Sequence, residues 1–226
     1  MADSSASLTF DAALAGPSPA VPAPDADRTR QIIAAAYALL DEEGLEGLTI
    51  RAVLNRTGLA RRAFYDRFAG KDDLVLAVFE QTIRLAAAMY AREAQAMDDP
   101  LERLHWVVTT IVLGKGAIDP ASTGEGSRRG AALSREHLRL AEARPADLQK
   151  ALHPLIALIA EHLAQAVAAG QARACDTQLH ATLIYNLVST TMHTEFMAEE
   201  GASHDRERRL ALARDLWAFI CRGIAA

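Results

Sequence analysis

Five arginines, a tyrosine and two phenylalanines crowd into residues 49–68, TIRAVLNRTGLARRAFYDRF, with Asp66 as the one acid and no lysine. Guanidinium groups are flat, permanently charged and rich in donors. Gathered like this they suit recognition of phosphates and of guanine edges rather than bond-making chemistry. The 226-residue chain as a whole is acidic, with a net charge of −5. Residues 51–71 carry six bases (Arg51, Arg56, Arg61, Arg62, Arg67, Lys71) against Asp66, whereas residues 1–27 carry four acids and no base. The positive charge is local, and a local patch is what steering toward a polyanion requires.

Arginines read bases only when a rigid element holds them. Thr49 can cap a helix over about 50–56, Thr57 and Gly58 end it, and a further short helix spans about 60–67. Two short helices joined by a tight glycine turn form a helix-turn-helix, in which the second helix offers its N-terminal residues to the groove. Val53, Leu54, Leu59, Phe64 and Phe68 fall on the inner side, and Ala60 and Ala63 permit close approach. Arg61 and Arg62 lie at the exposed first turn. Tyr65 follows a core phenylalanine and so points elsewhere, with its hydroxyl free for a phosphate oxygen. Thr49, Arg67 and Lys71 are similarly placed for phosphate. Arg28 and Arg56 read as ordinary surface charges.

Around this unit the pattern is helical throughout. Ile32, Ile33, Ala36, Tyr37 and Leu40 recur at helical spacing, with Asp27 as cap and Gly44 as a left-handed terminator. Further helices are expected over about 71–97, 100–114, 127–143, 145–169, 176–200 and 204–223, with Pro154 kinking or splitting its segment. Asp72 and Asp73 suit the first turn of the long fourth helix. The fold class is therefore all-α, with about nine helices. The Ala/Pro/Ser-rich residues 1–27 are expected to form a disordered arm, residues 28–74 the helix-turn-helix domain, and 75–226 a larger helical domain. The Gly/Ser-rich stretch 114–127 reads as a loop.

Residues 28–80, with "EEGLEGLTIRAV", "TGLARRAFYDRF" and "AGKDDL" at the right mutual spacing, resemble the N-terminal DNA-binding domain of the TetR family of transcriptional regulators. The resemblance implies base-facing roles for Arg51, Arg61, Arg62 and Ala63, and phosphate roles for Thr49, Tyr65 and Lys71. It also implies a homodimer on a double-stranded palindromic operator and a small-molecule effector in the C-terminal domain. Two departures, the arginine pair of "ARRA" and Asp66 beside the phosphates, prevent transfer of an operator sequence.

For dimerisation, Leu212, Leu216, Phe219 and Ile220 share one face of the last helix. For the effector, Thr182, Asn186, Ser189 and His193 form a polar stripe on an apolar helix. The stripe faces a pocket, a dimer seam or solvent. Trp106, Thr110, His137, Tyr185 and Met192 are further pocket candidates. Such a lining, with few fixed charges, favours a largely apolar ligand with one or two polar groups.

Enzymatic chemistry is not expected. Glu102 and His105 make one Glu-x-x-His pair where a di-iron bundle needs two. No Cys/His set has zinc spacing, no glycine-rich phosphate loop appears, and no nucleophile elbow is present. No metal or cofactor is expected. Cys175 and Cys221 read as reduced, small hydrophobes. No uninterrupted apolar run reaches bilayer length and no secretory leader is recognisable, so the expected location is the cytoplasm, away from membranes. An alternative within the DNA-binding class is an architectural or partner-regulated protein with no effector, which a filled C-terminal core would favour.

Overall fold

The computed structural model describes residues 24–114, 125–198 and 206–225. The helices, in chain order, are α1 Pro24–Gly47, α2 Ile50–Thr57, α3 Arg61–Tyr65, α4 Lys71–Ala94, α5 Pro100–Leu113, α6 Glu125–Ala143, α7 Pro145–Ala168, α8 Thr177–Ala198 and α9 Arg206–Ile224. The expectation of an all-α chain holds. Among the described residues no strand forms, and an isolated bridge pairs Ala172 with Ala225. Most of the expected N-terminal arm and residues 115–124 of the expected loop lie outside the described residues.

Local chemistry sets most boundaries. Thr49 accepts a hydrogen bond from the Ala52 N–H at 3.1 Å and so caps α2 as its sequence position suggested. Gly58, at φ 67°, ends α2 in the left-handed region and donates to the Leu54 carbonyl. Asp99 caps α5 through the Leu101 N–H at 2.8 Å, with Pro100 in the first turn. Two expectations need correction. Asp27 is not the cap of α1, which begins three residues earlier at Pro24; its carboxylate accepts instead from Gln31, one turn on. Pro154 does not split α7, which is continuous through it. Leu152, Leu155, Leu158 and Ile159 are all buried, and this packing on both sides of the proline offsets the lost backbone hydrogen bond.

The apolar residues gather into two cores. The head core joins Ile32, Ala36, Leu39 and Leu40 of α1 to Val53, Phe64, Phe68, Leu74 and Val78. The body core surrounds α7, with Leu104 and Val108 of α5, Leu155, Ile159 and Leu163 of α7, and Ile184 and Val188 of α8. Helix α6 serves both. It packs on α1 and α4 on one side and on α7 and α8 on the other, and its Ala132 belongs to the head core. Both cysteines are free and half-buried.

By length and composition, α4 and α7 each contain a window apolar enough to cross a bilayer, which counting uninterrupted apolar runs had missed. In this fold half of the α7 window is buried at the centre of the body core, and a third of the α4 window is buried.

Candidate nucleic-acid interface

The turn between α2 and α3 is locked from inside. The Thr57 hydroxyl donates to the Val53 carbonyl at 2.9 Å and accepts from the Leu59 N–H at 3.4 Å. Phe64 is fully buried, and its ring lies 5.4 Å from Phe68 on one side and 5.4 Å, edge-on, from Tyr65 on the other. Helix α3 is shorter than expected: five residues, prolonged by a turn in which the Arg67 and Phe68 N–H groups both donate to the Phe64 carbonyl. This turn is held by its phenylalanine anchors more than by its own length.

On the outer side the arginines differ. The Arg62 side chain is 92% exposed, with its nearest carboxylate, Asp66, at 4.0 Å. Arg61 lies over the Tyr65 ring, 5.5 Å from its centroid, and its guanidinium donates to the Tyr65 hydroxyl at 3.4 Å. Tyr65 is itself 44% exposed. Arg51 and Thr49 are exposed on α2, and Ala63 is half-buried behind the arginine pair. Arg56 is removed from the interface by a two-pronged ion pair with Glu42 of α1, at 3.0 Å for one prong. That agrees with its reading as a surface charge.

Two expected phosphate ligands are held inward. Arg67 donates to the Ala63 carbonyl at 2.7 Å, and Lys71 donates to the Leu45 carbonyl at 3.1 Å. Both side chains thereby brace the head from its own backbone.

Sequence reasoning missed the connection between head and body. Asp72 and Asp73, read as partners of a helix dipole, reach across to the body. Arg139 of α6 pairs with Asp72 at 3.1 Å and with the buried Glu136 at 2.7 Å. Arg144, between α6 and α7, pairs with Asp73 at 2.6 Å and Asp147 at 2.8 Å. The Arg144 hydrogen bond, with a second from the Ala69 N–H, holds the Asp73 carboxyl below the usual carboxylate range. Because the folded value is lowered, the stabilisation is complete above the unfolded carboxylate pKa of about 4 and fades as pH falls through the folded value. Arg144→Ala should therefore flatten the acid limb of a Tm–pH profile below about pH 4. An acid limb identical to that of the wild type would show that the pair carries no coupling.

The expected effector residues are distributed over α5, α6 and α8 of the body. Tyr185 and Met192 are buried in the body core, and burial raises the Tyr185 pKa. His137 sits between Phe79 and Tyr185, 3.4 Å from the Tyr185 hydroxyl, and burial followed by His193 lowers its pKa. His193 meets Ser134 of α6 at 3.0 Å. Thr110 is 2% exposed and Trp106 packs edge-on against Tyr90. The polar stripe does not face inward as a unit. Asn186 is exposed, Thr182 bonds its own helix at Gln178, and Ser189 bonds Asn186. Of the expected dimer face, Leu216 and Ile220 are buried within the protomer, Leu212 is half-buried, and Phe219 projects, 68% exposed. A stripe drawn on one helix cannot tell its core side from its partner side.

Residues 32–78 match the family described as "Bacterial regulatory proteins, tetR family". The HTH-type transcriptional regulator BetI of Stenotrophomonas maltophilia is 32% identical over 82 residues, covering 36% of this chain and 42% of that protein. BetI 1 of Chromohalobacter salexigens is 30% identical over 82 residues, covering 36% and 41%. The chain thus spans about two fifths of the length of these curated relatives. Among solved structures, a TetR-family transcriptional regulator from Pectobacterium atrosepticum superimposes with a TM-score of 0.69 at 20% identity, covering 92% of this chain and 98% of that one. FadR from Bacillus subtilis, in complex with stearoyl-CoA, gives 0.66 at 17% identity, covering 86% and 98%. RolR, in complex with resorcinol, gives 0.65 at 15% identity, covering 88% of each chain. The three structural likenesses thus cover between 86% and 92% of this chain.

Proposed function

We infer, from a TetR-family DNA-binding domain over residues 32–78, that this chain is a cytoplasmic transcriptional repressor that grips a palindromic operator as a dimer and releases it when a small molecule binds. The observation that carries the DNA reading is the pairing of a buried Phe64 with an outward Arg61–Arg62 step at the start of α3. Arginine at that position can donate twice to guanine O6 and N7. Arg51 and Ala63 complete the base-facing surface, and Thr49, Tyr65, Arg67 and Lys71 the phosphate contacts.

The dimer reading rests on apolar side chains left outside. Leu179 and Leu183 of α8 are 53% and 55% exposed, and Phe219 of α9 is 68% exposed. Two helices from each protomer can bury these residues in a four-helix seam. Leu183→Asp combined with Phe219→Asp should convert a dimer to a monomer in sedimentation velocity and lose operator affinity with it. A dimer that survives both charges places the seam elsewhere.

The relay from body to head runs through α6 and the Arg139–Asp72 and Arg144–Asp73 pairs. An effector shifts the equilibrium only by its difference in affinity for the two conformers, and a few kcal/mol is enough. That the similarly folded FadR and RolR were solved in complex with stearoyl-CoA and resorcinol supports the reading that this chain too takes a small-molecule ligand. Selection of bound duplexes from a random pool, followed by a ligand screen for release, tests the whole reading. No enriched duplex would overturn it.

A further inference from the structure

Asp66 is the one acid of the basic stretch, and its place is costly. It stands at the C-terminal cap of α3, where the helix dipole disfavours negative charge. It is exposed on the outer side of α3, which it shares with Arg61, Arg62 and Tyr65. A duplex gripped by that side brings its phosphates toward the carboxylate.

Other acids of the head are occupied within the protein. Glu42 holds Arg56 at 3.0 Å, Asp72 holds Arg139 at 3.1 Å, and Asp73 holds Arg144 at 2.6 Å. Asp66 is placed differently. Its N–H donates to the Arg62 carbonyl at 2.9 Å, which sets the two residues one turn apart on the same stripe. Its carboxylate lies 4.0 Å from Arg62 Nε, and the two side chains are 58% and 92% exposed. At that distance the charges attract without sharing a hydrogen bond, so the contact leaves both groups able to bond a third. The neighbouring step of the same ladder shows the contrast. There Arg61 leans on the Tyr65 ring and hydroxyl, a neutral support. A carboxylate adds what a neutral support lacks: a charged group that only accepts hydrogen bonds. On the edges of bases in the major groove the donors are the exocyclic amines, N4 of cytosine and N6 of adenine. The 4.0 Å between donor and acceptor is close to the spacing of successive bases, about 3.4 Å.

We propose that Asp66 is a specificity-determining residue, whose carboxylate accepts a hydrogen bond from the exocyclic amine of a base neighbouring the guanine that Arg62 reads. Where the amine is present, Arg62 and Asp66 bind as a unit. Where a carbonyl oxygen stands in its place, acceptor meets acceptor and the negative charge repels. The same side chain thus rewards one sequence and penalises the rest. This assignment rests on the DNA reading above and adds a residue to it.

The test begins with a duplex selected from a random pool by the full chain. Its amines are then removed one at a time, with 2-pyrimidinone in place of cytosine and purine in place of adenine. Loss of one amine in each half-site should weaken wild-type binding about tenfold and leave Asp66→Ala binding unchanged. The base at which this happens identifies the amine as that of cytosine or of adenine. Asp66→Ala should bind unrelated duplexes as tightly as the wild type or more tightly, so its ratio of selected to unrelated affinity falls about tenfold. Its Tm should match the wild type, because the side chain is exposed. An amine scan with no sensitive position in the wild type, as a residue that only orients Arg62 would give, overturns the proposal. So does a sensitive position that stays sensitive in Asp66→Ala, or an Asp66→Ala chain that binds every duplex more tightly by the same factor. The two readings fail separately: a wild-type chain that enriches no duplex removes the DNA reading, whereas an enriched duplex with guanine contacts and no amine dependence removes the role of Asp66 alone.

Discussion

Phe64→Ala is expected to abolish DNA binding by dissolving the head, with a loss of about 3–5 kcal/mol of stability in that unit. The ring is fully buried, touches Phe68 and Tyr65, and lies in one core with Ile32, Val53 and Leu74. Helix α3 is only five residues long, too short to persist without that anchor. Phe64→Leu keeps most of the volume and should retain a folded head with weakened affinity. Chemical denaturation read alongside duplex binding checks both. A Phe64→Ala protein that binds like the wild type would show that α3 is supported in some other way.

Arg62→Ala should change which sequences are bound rather than how strongly any duplex is bound. It is expected to cost about 1–3 kcal/mol on the preferred duplex and little on others, flattening preference at one base pair of each half-site. Arg61→Ala should act likewise at a neighbouring position. Lys71→Ala should weaken all duplexes alike and reduce the salt slope by about one. Tyr65→Phe should also weaken all duplexes, with the salt slope unchanged because the lost group is neutral. The stacked arrangement adds a coupling: Arg61 rests on the Tyr65 ring and hydroxyl, so the effects of Arg61→Ala and Tyr65→Phe should not add. Competition binding over a panel of single-base variants reads all four. Equal loss of preference from all four substitutions would contradict the division of labour.

The head was legible because its signals are local. Thr49 as cap, Gly58 as left-handed stop, and the inward set Val53, Phe64 and Phe68 are fixed by spacing of a few residues, and the structure places each where the spacing requires. What was not legible depends on neighbours distant in sequence. Leu216 and Ile220 share a stripe with Phe219, yet packing within the protomer buries two of them and leaves the third outside. The ties between Asp73 and Arg144, 71 positions apart, and between Arg103 and Gln165, 62 apart, leave no periodic trace.

The most direct test is dimethyl sulfate probing of guanine N7 in a selected duplex bound by the full chain, because N7 lies on the major-groove edge that the proposed function assigns to Arg61 and Arg62. The account predicts two protected patches related by a twofold axis and about one helical turn apart, with protection at one guanine per patch lost in Arg62→Ala. Tight binding with every guanine N7 still reactive would contradict it.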